Sequence, residues 1–417
     1  MYFPHEGPTM KALLIGAGGV GSAIVNIAAR KSFISAMVVA DRTLARAESA
    51  VARVQDPRFS SAVVNAAEIE DIRALIRQVK PDVVINAVDP RFVMPIFLAC
   101  ENENTNYIDM AMSLSLPHPE NPESETGVKL GDEQFARDRN WGERQIYALV
   151  GMGIEPGMSD LFARYAEDYL FSRIDSFTIF DGSNLTVAGY EFAPSFSIWT
   201  TIEECLNPPL VWEERRGWYT TEPFSELEVF DFPEGIGPVE CVNVEHEEVV
   251  LIPQKVKAGK VNFKFGLGAQ FIATLKTIHM LGMDRKDQVD VQGVKVSPRD
   301  LLAALLPDPA TLGPLMKGKT CAGALVKGLN KVGVPYACYM YNVVDNEWSM
   351  ANYGDQAVVW QTAINPVIAL ELIHNGIWQP AGVVGPEWFD AKPFLDLLPS
   401  YDSEWKIRDE DPTGIVA

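Results

Sequence analysis

Gly16, Gly18 and Gly21 stand at G-x-G-x-x-G spacing inside Leu13-Leu14-Ile15-Gly16-Ala17-Gly18-Gly19-Val20-Gly21-Ser22-Ala23. In that pattern the first glycine makes a tight turn, the second lets the backbone approach a pyrophosphate and the third lets a helix pack closely on a strand. Gly19, Val20 and Gly21 open the helix, where free N–H groups hold phosphate oxygens. Asp41 follows about twenty residues beyond the glycines, at the end of the next apolar run, where a carboxylate accepts hydrogen bonds from an adenosine ribose. Arg42, with Thr43 after it and Arg46 one turn on, offers the opposite chemistry, a cation for a 2′-phosphate. The pair leaves NAD and NADP both open, with Asp41 tipping the reading toward NAD.

Further along, Asn86-Ala87-Val88 closes a strongly apolar run, and Asp109-Met110 closes another, at strand ends where open α/β sheets place their ligands. Glu155 sits in the glycine turn Gly151-Met152-Gly153-Ile154-Glu155-Pro156-Gly157. Asp109 and Glu155 are the candidate acids, able to support a cationic nitrogen and exchange a proton with it. The plain alternatives are an acid capping a strand end for Asp109 and a turn-stabilising acid for Glu155. Tyr190 is a candidate substrate contact or part of a packed wall. Lys317, Lys319 and Thr320 form a compact basic loop that would bind a carboxylate or simply be solvated.

The elements that must carry these residues alternate. Strands are expected over 36–40, 60–64, 81–87, 106–111 and 146–150, and helices over 23–29, 44–54, 67–79, 92–102 and 135–144, which is the doubly wound α/β pattern. Residues 113–131 turn polar and proline-rich, as a solvated loop or a lid. Ser159 would cap a helix reaching about residue 169. Beyond it the pattern changes to α+β: strands at 176–180, 227–230, 249–252, 337–344 and 356–360, and helices over 263–281 and 298–306. Asn365 would cap an apolar helix over 366–375 that Gly376 ends. Trp199, Trp212, Trp218 and Tyr219 read as core and dimer interface. The expected division is 10–152 for a dinucleotide-binding Rossmann domain, 153–355 for an inserted mixed-sheet substrate and dimerisation domain, and 356–417 for helices returning to the first.

Composition narrows the partners. With 56 acidic against 35 basic residues, a net charge of −21, the surface would repel nucleic acid, while a cationic substrate suits it. No uninterrupted run of about 18 apolar residues occurs, so no membrane span is expected. Five scattered cysteines without a C-x-x-C point to reduced thiols in the cytoplasm, and five dispersed histidines give no metal site. Residues 1–10 lack a signal-peptide core and read as a short leader, and 409–417 as a mobile end.

The glycine turn at 16–21 together with Gly153-Ile154-Glu155-Pro156-Gly157 resembles the saccharopine dehydrogenase and reductase family, nearest its carboxynorspermidine (carboxyspermidine) dehydrogenase branch. Leu305-Leu306-Pro307-Asp308-Pro309, Lys317-Gly318-Lys319-Thr320, Tyr341-Asn342-Val343 and Gly376-Ile377-Trp378-Gln379-Pro380-Ala381-Gly382-Val383 also match. The resemblance implies a two-domain homodimer in which NAD(P)H reduces an imine formed from an amine and a semialdehyde; in the nearest branch these are a diamine and aspartate semialdehyde. Relatives there tend to carry serine where Asp41 precedes Arg42 and Thr43, and aspartate where this chain has Glu155. Their aspartate-histidine-glycine-tyrosine-proline substrate loop corresponds to Val187–Pro194, which keeps Gly189, Tyr190, Phe192 and Ala193. A saccharopine-type reductase of lysine metabolism and a dinucleotide-binding regulator without catalysis are the alternatives.

Overall fold

The computed structural model describes residues 9–412 and divides into two compact units, each built on its own sheet. The first comprises Met1–Ser113, Glu133–Gly153 and Thr362–Pro386. Its strands β1 (Met10–Ile15), β2 (Ile34–Asp41), β3 (Phe59–Val63), β4 (Val83–Asn86), β5 (Asn106–Asp109) and β6 (Tyr147–Leu149) are joined by a seventh, Gly382–Val384. All pair in parallel, in the order β3-β2-β1-β4-β5-β6 and then the seventh. That is the doubly wound order, with its switch point between β1 and β4. Both strands are apolar because helices cover both faces of a parallel sheet: Leu13, Leu14, Val83, Val84 and Ile85 are fully buried. Helices α1 (Gly19–Ala29), α2 (Leu44–Val54), α3 (Ile69–Val79) and α4 (Val93–Glu103) make the crossovers.

The second unit comprises Leu114–Asp132, Ile154–Gln361 and Glu387–Ala417. Its largest sheet is mixed. In spatial order it runs Gly217–Thr220, Leu210–Glu213, Lys260–Gly266, Phe171–Ser183, Lys319–Asn330, Pro335–Asp345 and Trp405–Glu410. The hairpin of Glu228–Phe232 and Gly237–Asn243 pairs onto Lys260–Gly266. Lys260–Gly266 runs parallel to Phe171–Ser183, and the other pairs are antiparallel.

Several expectations give way here. The 263–281 helix is a strand, Lys260–Gly266, followed by a helix, Ala269–Met280, separated at Gly268 with φ +74°. The run 249–252 lies in a short helix, Glu248–Leu251, and a following 3-10 turn, because four apolar residues carry no period of their own. The strand expected at 356–360 opens a helix, Ala357–His374, that continues through Pro366, so Asn365 lies inside it rather than capping it. This helix is long and apolar enough by composition to cross a membrane, with mean hydropathy 1.2, but 78% of it is buried in the protein interior. Residues 319–320 open the long strand Lys319–Asn330 instead of lying in a loop. Gly157, not Ser159, precedes the helix Met158–Tyr165, which passes into a π-turn at Ala166–Leu170.

Residues 114–132 belong with the second unit and are anchored rather than loose. Leu116 and Val128 exchange backbone bonds of 2.9 Å, and Ser115 Oγ donates to Glu245 Oε2 at 2.8 Å. At the other end of the chain Glu387–Ala417 also goes with the second unit, and Asp409 and Glu410 complete its edge strand. Residues 1–8 of the expected leader (1–10) and 413–417 of the expected mobile end lie outside the described part. The aromatic quartet splits in two: Trp212 and Trp218 pack at 4.5 Å, whereas Trp199 lies under the Arg299 guanidinium.

The pairing of Phe171–Ser183 with Lys319–Asn330 leaves no room at Gly328, where a Cβ would stand 2.0 Å from the Arg173 carbonyl oxygen. Gly328→Ala is expected to lower stability by about 1–3 kcal/mol through overpacking. Gly142→Ala, in the helix Asp138–Glu143 with nothing within 4 Å of its Cβ, should raise it by up to about 1 kcal/mol. Urea unfolding midpoints of the two variants check the contrast.

Candidate active site

The first unit holds a cradle for an anion at the switch point. Gly16 has φ +108°, and a Cβ there would lie 2.5 Å from the Ala87 carbonyl oxygen. At Gly21 a Cβ would lie 1.9 Å from the Gly16 carbonyl oxygen, so both positions need glycine for close backbone approach. Gly18 differs: nothing lies within 4 Å of its Cβ position, so the space before α1 is open. The helix starts without a side-chain cap or a first-turn acid, and its first carbonyl is taken by Ser22 N–H at 2.9 Å. The amides of Gly19, Val20 and Gly21 are thus left for a ligand's phosphates. Asp41 is held over this opening by two amides, Ala17 N–H to Oδ2 at 2.9 Å and Thr43 N–H to Oδ1 at 2.8 Å. Arg42 is exposed beside it. Across the switch point, Asn86 Oδ1 accepts Val88 N–H at 3.1 Å, fixing the Asn86-Ala87-Val88 turn. These residues fit a dinucleotide.

Asp109 does not cap an exposed strand end. It is 1% exposed, and its carboxylate accepts from Tyr107 OH (2.8 Å), Gln134 Nε2 (2.9 Å) and Gly151 N–H (2.7 Å). Tyr107 in turn accepts from Asn86 Nδ2 at 2.8 Å, and Gln134 Oε1 accepts Ser113 N–H at 2.8 Å. Asp109 therefore ties the ends of β4, β5 and β6 into one buried network, which holds the turn at Gly151.

In the second unit the structure gathers acids that the sequence had left scattered. Both carboxylate oxygens of Glu155 are shut from solvent, with the Asp181 carboxylate and the Gly323 backbone amide beside them. Burial and the charges of Asp181 and Glu248 push Glu155 well above the usual carboxylate range. Asp181 rises only to about 6, burial being opposed by the bond from Glu155 and by His246. Near neutrality the two carboxylates thus share a proton, which burial favours on Glu155 as donor to Asp181. Glu248 lies behind the pair, accepting from Ser159 Oγ at 2.9 Å and meeting His246 Nδ1 at 2.5 Å. His246, stacked on Phe263 at 4.0 Å, stays an imidazolium: Glu248, Glu247 and Glu204 raise it to about 10 against its burial. The ligand atoms of His246, Glu247 and Glu248 lie within 4.8 Å of one another, close enough to hold a metal ion, which would compete with the ring proton for His246. Burial lifts Glu204 to about 8, and raises Asp160 as well, the latter helped by Glu248 and Glu387.

The remaining candidates are dispersed. Met110 is partly buried beside Asp109, and Tyr190 is 46% exposed in a turn. Lys317 is exposed, 3.9 Å from Glu347. Lys319 donates to the Glu234 carbonyl at 3.1 Å and Thr320 is buried in the sheet, so the two serve the strand rather than a basic loop. Asp160, Asp181, Glu204, His246, Glu248 and Glu387 escaped sequence reasoning. Only the run His246-Glu247-Glu248 carried a local signal, since the others come from separate elements.

Residues 12–149 match the family model described as the saccharopine dehydrogenase NADP binding domain, and 153–403 match the saccharopine dehydrogenase C-terminal domain. The chain belongs to the saccharopine dehydrogenase family. It is an oxidoreductase of the kind acting on CH–NH bonds, with a nicotinamide dinucleotide as coenzyme. It is 29% identical over 413 residues to the carboxynorspermidine synthase of Vibrio alginolyticus, covering 97% of this chain and 98% of that one. It is 28% identical over 396 residues to the carboxyaminopropylagmatine dehydrogenase of Synechocystis, covering 95% and 96%. The fold is similar to that of a solved saccharopine dehydrogenase (L-Glu forming) from Saccharomyces cerevisiae, with TM-score 0.68 at 14% identity, over 96% of this chain and 100% of that one.

Because the buried acids hold protons more tightly folded than unfolded, stability should fall with alkalinity. Asp181 (about 6), Glu245 (about 7), Glu204 and Glu387 (each about 8) all lie above ordinary values, through burial foremost. Their stabilisation is complete below the unfolded carboxylate range and is lost as pH rises through 6 to 8. His246 acts in the same sense, losing its contribution as pH climbs from 6.5 toward about 10. The thermal midpoint at constant ionic strength is expected to drop from about pH 6 to about pH 9; a flat or rising profile would contradict the cluster's ionisation.

Proposed function

We propose that this enzyme uses NAD(P)H to reduce the imine formed between a diamine and aspartate semialdehyde, giving a carboxylated polyamine. The observation that carries the reading is Glu155, whose two buried carboxylate oxygens stand beside Asp181, a setting that favours one shared proton on the pair. Imine reduction needs that combination: a proton for the nitrogen and negative charge for the iminium. The near full-length likeness to enzymes named for carboxynorspermidine and carboxyaminopropylagmatine supports a polyamine-class substrate.

The coenzyme supplies hydride. The chain's own contribution begins with the amides of Gly19, Val20 and Gly21, which hold the pyrophosphate, and the Ala87–Val88 turn, which closes on the glycine loop. Glu155 gives its proton to the imine nitrogen, making the carbon electrophilic, and regains one from solvent after the amine forms. Asp181 stabilises the cationic nitrogen. Asp109 acts at one remove, as a positioning residue for the Gly151 turn that leads in sequence to Glu155. Met110, Tyr190 and Lys317 are the substrate-side candidates.

For the coenzyme we propose NAD, because the Asp41 carboxylate, fixed by Ala17 and Thr43, would repel a 2′-phosphate. Wild-type kcat/KM should favour NADH over NADPH by about tenfold or more, and Asp41→Asn should narrow that ratio. Preference for NADPH in the wild type would overturn the assignment.

Coenzyme oxidation with aspartate semialdehyde plus 1,3-diaminopropane or putrescine, set against aminoadipate semialdehyde plus glutamate, tests the reaction. The first pairing should be turned over and the second not, and Glu155→Gln should lower kcat by about 10²–10⁴. Turnover of the glutamate pairing alone would replace this reading by the saccharopine-type one.

A further inference from the structure

A notch of about 260 Å³, counting its open mouth, lies in the second unit and is lined by none of the residues assigned to the reaction above. Leu116, Pro117, Val128, Pro208 and Leu210 give it apolar walls, and Glu245 is the one acid among its lining residues. Hydrogen bonds hold the walls in place. Leu116 and Val128 pair through their backbones, and at Gly127 a Cβ would stand 2.1 Å from the Leu116 carbonyl oxygen. Thr220 Oγ1 donates to the Glu125 carbonyl at 3.1 Å, which pins the 114–132 segment to the strand Gly217–Thr220.

Glu245 is 8% exposed, and its two donors fall on the same oxygen: Ser115 Oγ at 2.8 Å and Asn207 Nδ2 at 2.9 Å both reach Oε2. Oε1 takes no donor among the described residues, yet it is not shut from solvent as the Glu155 oxygens are. Burial foremost raises Glu245 to about 7, helped by Glu203 and Glu247 and opposed by Asn207 and Ser115. The Glu204 carbonyl takes the Glu245 amide at 3.0 Å. Cations nearby are engaged elsewhere: Lys286 and Arg299 on Glu203, and His246 on Glu248. Lys129, itself on the notch wall, is bound to Asp132 at 3.0 Å and lies over the Trp218 ring.

A carboxylate oxygen this buried and without a donor is completed from outside the chain. We infer that the notch seats a primary ammonium group carried on a short alkyl chain, with Glu245 Oε1 as its counter-ion. The enclosed part admits only water-sized groups, which suits a primary ammonium and excludes a quaternary one. Exposed Leu116 and Pro117 offer the alkyl chain apolar surface at the mouth. A hard metal ion would find a single carboxylate here instead of the several oxygens it needs. A cation at Oε1 keeps Glu245 ionised, and an ionised acceptor holds Ser115 more firmly, so occupancy tightens the 114–132 segment.

Titration calorimetry and amide hydrogen exchange on the full chain test this, with n-propylammonium chloride, tetramethylammonium chloride, 1-propanol and KCl as probes. n-Propylammonium is expected to bind about tenfold or more tightly than the other three and to slow exchange over 114–132. Its affinity should rise by about tenfold between about pH 6 and about pH 8, as Glu245 ionises. Glu245→Gln keeps an oxygen for Ser115 and Asn207 but removes the charge. It should therefore weaken amine binding by about tenfold and abolish both the pH dependence and the slowed exchange. Should that variant fail to fold, Val128→Trp on the exposed rim blocks the notch and should weaken binding likewise.

Absence of amine binding would overturn the inference, since water alone then completes Oε1. So would binding of 1-propanol or potassium as tight as that of the amine, no added protection over 114–132, or unaltered amine affinity in the variant that folds. Amine binding lost in Glu155→Gln but kept in Glu245→Gln would place the amine at the proposed reaction site and overturn it as well. The seat and the imine reduction fail separately: if no semialdehyde pairing oxidises the coenzyme while the Glu245-dependent binding holds, the seat stands and the reaction falls.

Discussion

The ion pair between His246 and Glu248 is the interaction on which the interior of the second unit depends. An imidazolium lies flat against Phe263 with its Nδ1 on the Glu248 carboxylate, and Ser159 completes the other oxygen of that acid. Without this cation, Asp160, Asp181 and Glu204 would each lose a positive charge that opposes the cost of their burial. Isolated buried charges of one sign shed their charge by binding protons, and that is what raises these acids. His246 opposes that rise at each of the three.

The first unit solves the opposite problem. There the loop before α1 presents backbone rather than side chains at the switch point. Gly16 and Gly21 bring main chain within contact of main chain, and Gly18 leaves open space before α1. Asp109 shows how firmly the rest of that edge is fixed, since its donors come from two side chains and one amide on three different segments. A group so fully engaged holds geometry, whereas Glu155 meets chiefly another carboxylate, that of Asp181.

Much of this was legible in the chain. The glycine spacing, the apolar runs and Asp41 each encode local backbone geometry, and the Rossmann order follows from strand and helix alternation. Family resemblance pointed to the same activity class. Legibility failed where the local signal was ambiguous. The segment 263–281 joins a strand to a helix through Gly268, and both halves are apolar enough to pass as one helix. Lys317 and Lys319 looked like a basic loop because charge was visible, while the pairing that makes 319–330 a central strand was not.

The sequence by itself determined the glycine turn before α1 and the two-sheet architecture, because these rest on contacts between residues close in the chain and on hydrophobic periodicity. Only the tertiary structure decided the acid cluster. Its members come from a turn at 155, a helix at 160, a strand at 181, a helix at 204, the segment 246–248 and the turn at 387. A carboxylate's protonation depends on desolvation and on neighbours a few ångströms away in space, and neither quantity is written in sequence separation.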